Sequence, residues 1–75
     1  MRIRLQKRRQ AMGFTQATFS AVVGTSRNHY SQIETGDKNP SLALALRIKK
    51  ALRYTNDDIF ENVAPRQSQI AQKNT

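Results

Sequence analysis

TQATFSAVVGTSRNHYSQIETG, residues 15–36, has the spacing of two short helices joined at a glycine. Apolar side chains recur three or four residues apart in both halves: Phe19, Val22 and Val23 in the first, Tyr30 and Ile33 in the second. Gly24 stands between the halves, where a sharp turn with positive φ suits a residue that has no Cβ. Ser26 follows, with a side-chain oxygen that can cap the next helix. This stretch therefore predicts a helix-turn-helix.

The whole chain is predicted to be all-α, with five helices separated by glycines and capping residues. These helices span residues 3–12, 16–23, 27–35, 42–52 and 56–62. The expected core consists of apolar residues at helical spacing: Leu5, Phe14, Phe19, Val23, Tyr30, Ile33, Leu42, Ala45, Leu46, Ile48 and Leu52. The sequence from Thr55 to Asp58 resembles a capping box, which explains its adjacent acids without catalysis. Residues 1–63 are predicted to form one domain, and the polar residues 64–75 a disordered tail.

Several short motifs lie in register along the chain. They are Gly13, Thr15-Gln16, Gly24, Ser26, Ile33-Glu34-Thr35-Gly36, Asn39-Pro40-Ser41 and Asp58-Ile59-Phe60. Together they resemble the pattern of the Cro and lambda-repressor-like regulators, the XRE family. The resemblance implies a compact five-helix lambda-repressor-like DNA-binding domain with its helix-turn-helix at helices 2 and 3. The sequence departs from the pattern at Ser20, Thr25 and Tyr30, where the family usually has Ala, Val, and Ile or Val respectively.

Charge is unevenly placed along the chain, which has a formal net charge of +8 at pH 7. Residues 1–33 hold six basic side chains and no acid: Arg2, Arg4, Lys7, Arg8, Arg9 and Arg27. All five acids lie between residues 34 and 61. A positive end favours nucleic acid as the partner, although basic helices are also often only solvated. Arg2, Arg4 and Arg8 are therefore candidate neighbours of DNA phosphates.

The resemblance places the base-contacting residues at the start of the helix over residues 27–35, which such proteins insert into the major groove. Arg27 can donate two hydrogen bonds to guanine, and Asn28 and Gln32 can pair with adenine. Residues 28 and 32 share one helix face because they are four apart. His29 is a further candidate, with a solvent-facing role as the alternative.

Contacts to DNA phosphates are expected from helix starts and loops. The resemblance assigns them to Gln16, Lys38 and Asn39. Thr15, Thr25 and Ser26 are further candidates through their hydroxyl groups. The resemblance also pairs Arg9 of the first helix with Glu34 near the end of the third. We interpret this pair as structural, because an arginine fork can hold a carboxylate with two hydrogen bonds and so orient the recognition helix.

The composition argues against an enzyme and against a metal site. The chain has no cysteine and one histidine, and its acids are explained by caps and ion pairs, so no nucleophile and base can be assigned. No cofactor and no small-molecule ligand are expected. The basic N-terminus lacks the apolar run of a signal peptide, and the chain has no apolar stretch long enough for a membrane span. A soluble, cytoplasmic protein is therefore expected.

The sequence thus predicts a transcriptional regulator, in particular a repressor, that binds double-stranded DNA. The alternative is an antitoxin-type DNA-binding protein whose main role is to bind a partner protein. Because one recognition helix contacts few base pairs, a homodimer on an inverted-repeat operator is expected. Its interface is assigned to Ile59, Phe60 and Val63, although Ile59 and Phe60 could instead complete the monomer core.

Overall fold

The computed structural model describes residues 1–61. These residues form four α-helices and one 3₁₀ helix, with no strand among them. The helices are α1 (Ile3–Ala11), α2 (Gln16–Val23), α3 (Arg27–Thr35) and α4 (Leu42–Leu52), followed by the 3₁₀ helix (Asp57–Phe60). The predicted all-α fold is confirmed, and the bounds of α2, α3 and α4 are those predicted. The predicted tail at residues 64–75 lies outside the described residues.

The predicted fifth helix over residues 56–62 is present but shorter, as a four-residue 3₁₀ helix. Its cap is Asn56, whose side-chain oxygen accepts a hydrogen bond from the Asp58 N–H at 3.2 Å. The start therefore lies one residue later than the expected Thr55 cap. Glu61 has extended backbone angles (φ −66°, ψ 133°), so the turn ends there.

Each of the helices α2, α3 and α4 begins at a hydroxyl cap. Thr15, Ser26 and Ser41 accept hydrogen bonds from the backbone N–H three residues later, which satisfies donors that a helix start leaves unpaired. Gly24 ends α2 with φ 78°, in the left-handed region that the turn was predicted to need. The helix-turn-helix is thus defined locally at both ends of its turn.

The core lies between all four helices and the 3₁₀ helix. Its buried apolar residues are Leu5, Phe19, Val23, Tyr30, Ile33, Leu44, Ile48, Leu52 and Ile59. The predicted core positions Leu42 and Leu46 are wrong, since their exposed fractions are 77% and 54%. Helix α4 carries two series of apolar residues at four-residue spacing, and the buried one runs through Leu44 and Ile48. Each residue turns the helix by about 100°, so two positions along the helix differ by about 200°. Leu42 and Leu46 therefore lie on nearly the opposite face from Leu44 and Ile48.

Three arginines bind backbone carbonyls at the C-terminal ends of helices. Arg47 donates to the Val23 carbonyl at the end of α2 (2.8 Å), and Arg8 to the Leu52 carbonyl at the end of α4 (3.0 Å). Arg2 does the same in the last turn of α3, at Ile33. A cation at this end of a helix is stabilising, because the unpaired carbonyls carry partial negative charge. Arginine thus joins helices to one another in this small fold.

Arg53 is the one non-glycine residue with positive φ in residues 1–61, and it ends α4 in the left-handed conformation (φ 54°). A side chain with Cβ is strained there, whereas glycine is not. We expect Arg53→Gly to raise the free energy of unfolding by about 0.5–1 kcal/mol in urea denaturation. Lys50→Gly, an exposed control within α4, should lower it by a similar amount. Equal losses for both variants would contradict the left-handed cap.

Candidate nucleic-acid interface

Helix α3 divides into a buried face and an exposed start. Tyr30, Ile33 and Glu34 are buried, whereas Arg27 and Asn28 are exposed. His29 and Gln32 are half-buried. The Ser26 hydroxyl accepts a hydrogen bond from the His29 N–H at 3.0 Å, which fixes the first turn of the helix. The polar groups suited to base edges therefore lie at or near the surface of a helix whose other face is held in the core.

A buried carboxylate holds α3 against the two preceding helices. Glu34 is 1% exposed, and its Oε2 atom lies 2.5 Å from Arg9 Nε of α1. The Tyr30 hydroxyl donates to Oε2 at 2.6 Å, and Gln16 Nε2 at the start of α2 donates to Oε1 at 3.0 Å. Arg9 also donates to the Phe14 carbonyl at 2.6 Å. The carboxylate thus connects α1, α2 and α3.

The hydrogen bonds around Glu34 keep it ionised. Burial by itself acts to raise the pKa of Glu34, but the hydrogen bonds from Arg9, Tyr30 and Gln16 outweigh it and lower the pKa from its ordinary value. For Tyr30, burial and the neighbouring carboxylate both raise the pKa of the hydroxyl, so Tyr30 remains a donor. This explains the departure from the usual Ile or Val, because the tyrosine fills an apolar site and pairs its hydroxyl with Glu34.

The predicted phosphate contacts lie at helix starts and in the loop after α3. Thr15, Ser26, Lys38 and Asn39 are exposed, and Gln16 and Thr25 are half-buried. The Thr15 hydroxyl accepts from the Thr18 N–H at 3.0 Å, and the Thr18 hydroxyl accepts from the Thr15 N–H at 2.9 Å, so α2 begins with a capping box. Gln16 uses one amide hydrogen on Glu34. Its amide group carries a second one, which is the kind of donor that a phosphate oxygen accepts.

Arg2 is the residue whose role the sequence did not reveal. It was expected near DNA phosphates as a surface charge, but it is only 5% exposed. Its guanidinium donates to four oxygens: those of Phe60, Ile33 and Lys38 on the backbone, and Asn39 Oδ1. Burial lowers the pKa of Arg2. Backbone acceptors from three distant segments leave no signal in the sequence, so this contact could not be predicted from residue types.

Most of the basic side chains of residues 1–33 are bound to the protein itself. Arg2, Arg8 and Arg9 donate to internal oxygens, and Arg4 forms an exposed ion pair with Glu61. Because Arg2 is buried, its predicted direct contact with a phosphate is wrong. Arg8 is half-buried and donates to Leu52 through Nε, so its role as a phosphate neighbour stays a prediction. Within residues 1–61, several of the cations that make up the net charge are thus already bonded to the protein, whereas Arg27 and Lys38 are exposed.

The assignment of the dimer interface needs one correction. Ile59 is 0% exposed and belongs to the core, so it offers no surface to a partner. Phe60 is half-buried and packs against the core. Val63 lies outside the described residues. The large exposed apolar residues of α4 are instead Leu42 and Leu46.

Other kinds of site were sought in the same part of the chain. No group of His, Cys, Asp and Glu within residues 1–61 is arranged to hold a metal ion. None of the helices described is long and apolar enough to cross a membrane. A groove of about 450 Å³ lies on the C-terminal half of α4 and the segment after it, and none of the expected DNA-contacting residues lines it.

Comparison with known proteins places this fold in a family. The helix-turn-helix family profile matches residues 5–59. The uncharacterized HTH-type transcriptional regulator YgzD of Bacillus subtilis is 37% identical over 60 residues, which cover 80% of this chain and 91% of YgzD. An HTH-type transcriptional regulator of Methanothermobacter thermautotrophicus is 39% identical over 61 residues, covering 80% of this chain and 88% of that protein. No solved structure matches the chain at a significant level.

A capped helix-turn-helix within a small helical domain defines a class of DNA-binding proteins. The chain belongs to the XRE-type helix-turn-helix family and is a DNA-binding transcriptional regulator. The resemblance inferred from the sequence motifs is confirmed.

A ¹³C NMR titration of the Glu34 carboxyl group tests the hydrogen bonds that Arg9, Tyr30 and Gln16 donate to it. We expect its pKa to lie below the ordinary value of about 4.3, and to rise in Tyr30→Phe, which removes one donor and keeps the ring. A carboxylate with a lowered pKa adds stability above its ordinary pKa, and that stability is lost as pH falls through the folded-state value. Tyr30→Phe should therefore lower the free energy of unfolding at pH 7 by about 1.5–3 kcal/mol. An unchanged Glu34 pKa in the variant would contradict the network.

Proposed function

We propose that this protein is a sequence-specific transcriptional repressor that binds double-stranded DNA with α3 in the major groove. The observation that supports this most is the division of α3 between a face held by Glu34 and a start that presents amide and guanidinium groups. A major groove about 12 Å wide admits one α-helix, and base edges there offer a distinct pattern of donors and acceptors. A repressor acts by occupying its site on DNA.

Four residues of α3 are the proposed base contacts. Exposed Arg27 suits guanine, to which a guanidinium donates two hydrogen bonds at O6 and N7. Asn28 and Gln32 lie one turn apart on the helix, and each amide can donate to and accept from adenine. His29 is half-buried beside them and is assigned a secondary contact.

The proposed phosphate contacts surround this helix in the sequence. Thr15 and Gln16 lie at the start of α2, where unpaired backbone N–H groups attract an anion. Thr25 and Ser26 lie in the turn before α3, and Lys38 and Asn39 in the loop after it. Gln16 is held by Glu34 and Asn39 by Arg2, so both amides are oriented by the protein before DNA arrives. Such contacts position the helix without distinguishing sequences.

A homodimer on an inverted repeat completes the proposal. One helix contacts too few base pairs for specificity within a genome, and two related by a two-fold axis double the site. With Ile59 in the core, we prefer the exposed leucines of α4, Leu42 and Leu46, as the pairing surface. Phe60 and Val63 remain from the assignment made on the sequence. Such a regulator works where the DNA is, in the cytoplasm of a bacterial or phage-infected cell. Nothing in residues 1–61 favours the antitoxin alternative.

Selection of bound sites from random duplex DNA tests the proposal. We expect an inverted repeat whose half-sites lie about one helical turn, roughly 34 Å, apart. On that site Arg27→Ala or Gln32→Ala should cost about 1–3 kcal/mol and relax preference at one or two base pairs. Gln16→Ala and Lys38→Ala should weaken binding to every sequence alike, because phosphates are the same everywhere.

The contrast between these two groups of variants is the control. If both groups gave the same profile on specific and random duplexes, the division into base and phosphate contacts would be refuted. If no sequence were enriched in the selection, the claim of specificity would be refuted as well.

A further inference from the structure

We propose that Arg2 is a positioning residue that turns the amide of Asn39 so that its N–H groups face a DNA phosphate. The inference rests on the proposed function, in which the loop after α3 contacts the DNA backbone. Arg2 is buried and cannot contact DNA itself, so its proposed role in binding is indirect.

Arg2 is anchored so that its guanidinium has one available orientation. Its backbone N–H donates to the Glu34 carbonyl at 2.8 Å, and its Nε donates to the Phe60 carbonyl at 2.9 Å. Nη1 donates to the carbonyls of Ile33 and Lys38, at 2.5 and 2.9 Å. The planar fork is therefore fixed at the end of α3 and at the loop together.

The remaining nitrogen of this fork orients Asn39. Arg2 Nη2 donates to Asn39 Oδ1 at 2.6 Å. An isolated amide can present either its oxygen or its NH₂ group to a partner, but a cationic donor selects the oxygen. Nδ2, with its two hydrogens, must then lie on the other side of the amide, and Asn39 is exposed. An acceptor with negative charge, such as a phosphate oxygen, is the partner that this arrangement fits.

The electrostatics of Arg2 favour an anion as well. All four oxygens that accept from its side chain are neutral, so none of them supplies a counter-charge. A cation taken out of water without a counter-charge favours negative charge nearby. A phosphate bonded to Asn39 Nδ2 would be separated from the Arg2 guanidinium only by the Asn39 amide. Arg2 Nη1 also bonds the Lys38 carbonyl, and the Lys38 N–H donates to the Gln32 backbone carbonyl of α3 at 3.1 Å. The loop is therefore bonded both to Arg2 and to the recognition helix.

A purely structural role for Asn39 is the competing account, in which the side chain only satisfies Arg2. Asn39→Asp separates the two. An aspartate keeps the acceptor for Arg2 and adds a counter-charge, so the fold should be as stable as before or more so. It removes both N–H donors and places negative charge where the phosphate would bind.

The experiment measures the affinity of full-length Asn39→Asp for the selected site and for a random duplex, with thermal unfolding in parallel. Asn56→Asp is the matched control, because it makes the same change at a residue outside the proposed contacts and retains the capping oxygen. We expect Asn39→Asp to lose roughly tenfold to hundredfold more affinity than the control, equally on both duplexes, with no loss of stability. Equal affinities for the two variants would overturn the inference.

The role of Arg2 itself is tested by Arg2→Lys, which keeps the charge but cannot bond as a fork. Arg2→Lys should lower the affinity for DNA strongly when Asn39 is present. In an Asn39→Ala background the same change should lower it only slightly, because the arginine acts through that amide. Equal losses in the two backgrounds would show that Arg2 only supports the fold, which also overturns the inference. If the wild-type protein bound no duplex, both the proposed function and this inference would be refuted. If the wild-type protein bound DNA and Asn39→Asp bound it with unchanged affinity, this inference alone would be refuted.

Discussion

The buried carboxylate of Glu34 is the constraint on which the rest of this structure depends. A carboxylate that is 1% exposed must be matched by donors, and here those come from α1, α2 and α3 itself. Satisfying this carboxylate sets where α3 lies relative to the two helices before it. The same group orients the Gln16 amide, so the carboxylate that supports the fold also prepares a proposed phosphate contact.

Arginine does much of the joining in this domain, and this changes what its net charge means. Arg2, Arg8 and Arg47 bind carbonyls near helix ends, and Arg9 binds Glu34. Within residues 1–61, several of the cations that make up the net charge of +8 are therefore used inside the protein. In the proposed complex, affinity depends on a few exposed groups such as Arg27 and Lys38, and on amides that buried charges orient. Placement of charge matters more than its sum.

The fold could be predicted from the sequence wherever local chemistry decides it. The caps at Thr15 and Ser26 and the turn at Gly24 need only neighbouring atoms, and the bounds of α2 and α3 were predicted from them. The prediction was wrong where tertiary packing chooses between two equal local patterns, as it does between the two apolar series of α4. The role of Arg2 depends on backbone oxygens brought together only by folding. The candidate base contacts follow from helical position, and which bases they meet depends on the DNA.

The most direct test of the central claim, that α3 lies in the major groove, is dimethyl sulfate footprinting on the selected site. This reagent methylates guanine N7 in the major groove and adenine N3 in the minor groove. We expect protection of guanine N7 in each half-site, with one of those protections lost in Arg27→Ala. Unprotected guanine N7 together with protected adenine N3 would place the protein in the minor groove and contradict the claim.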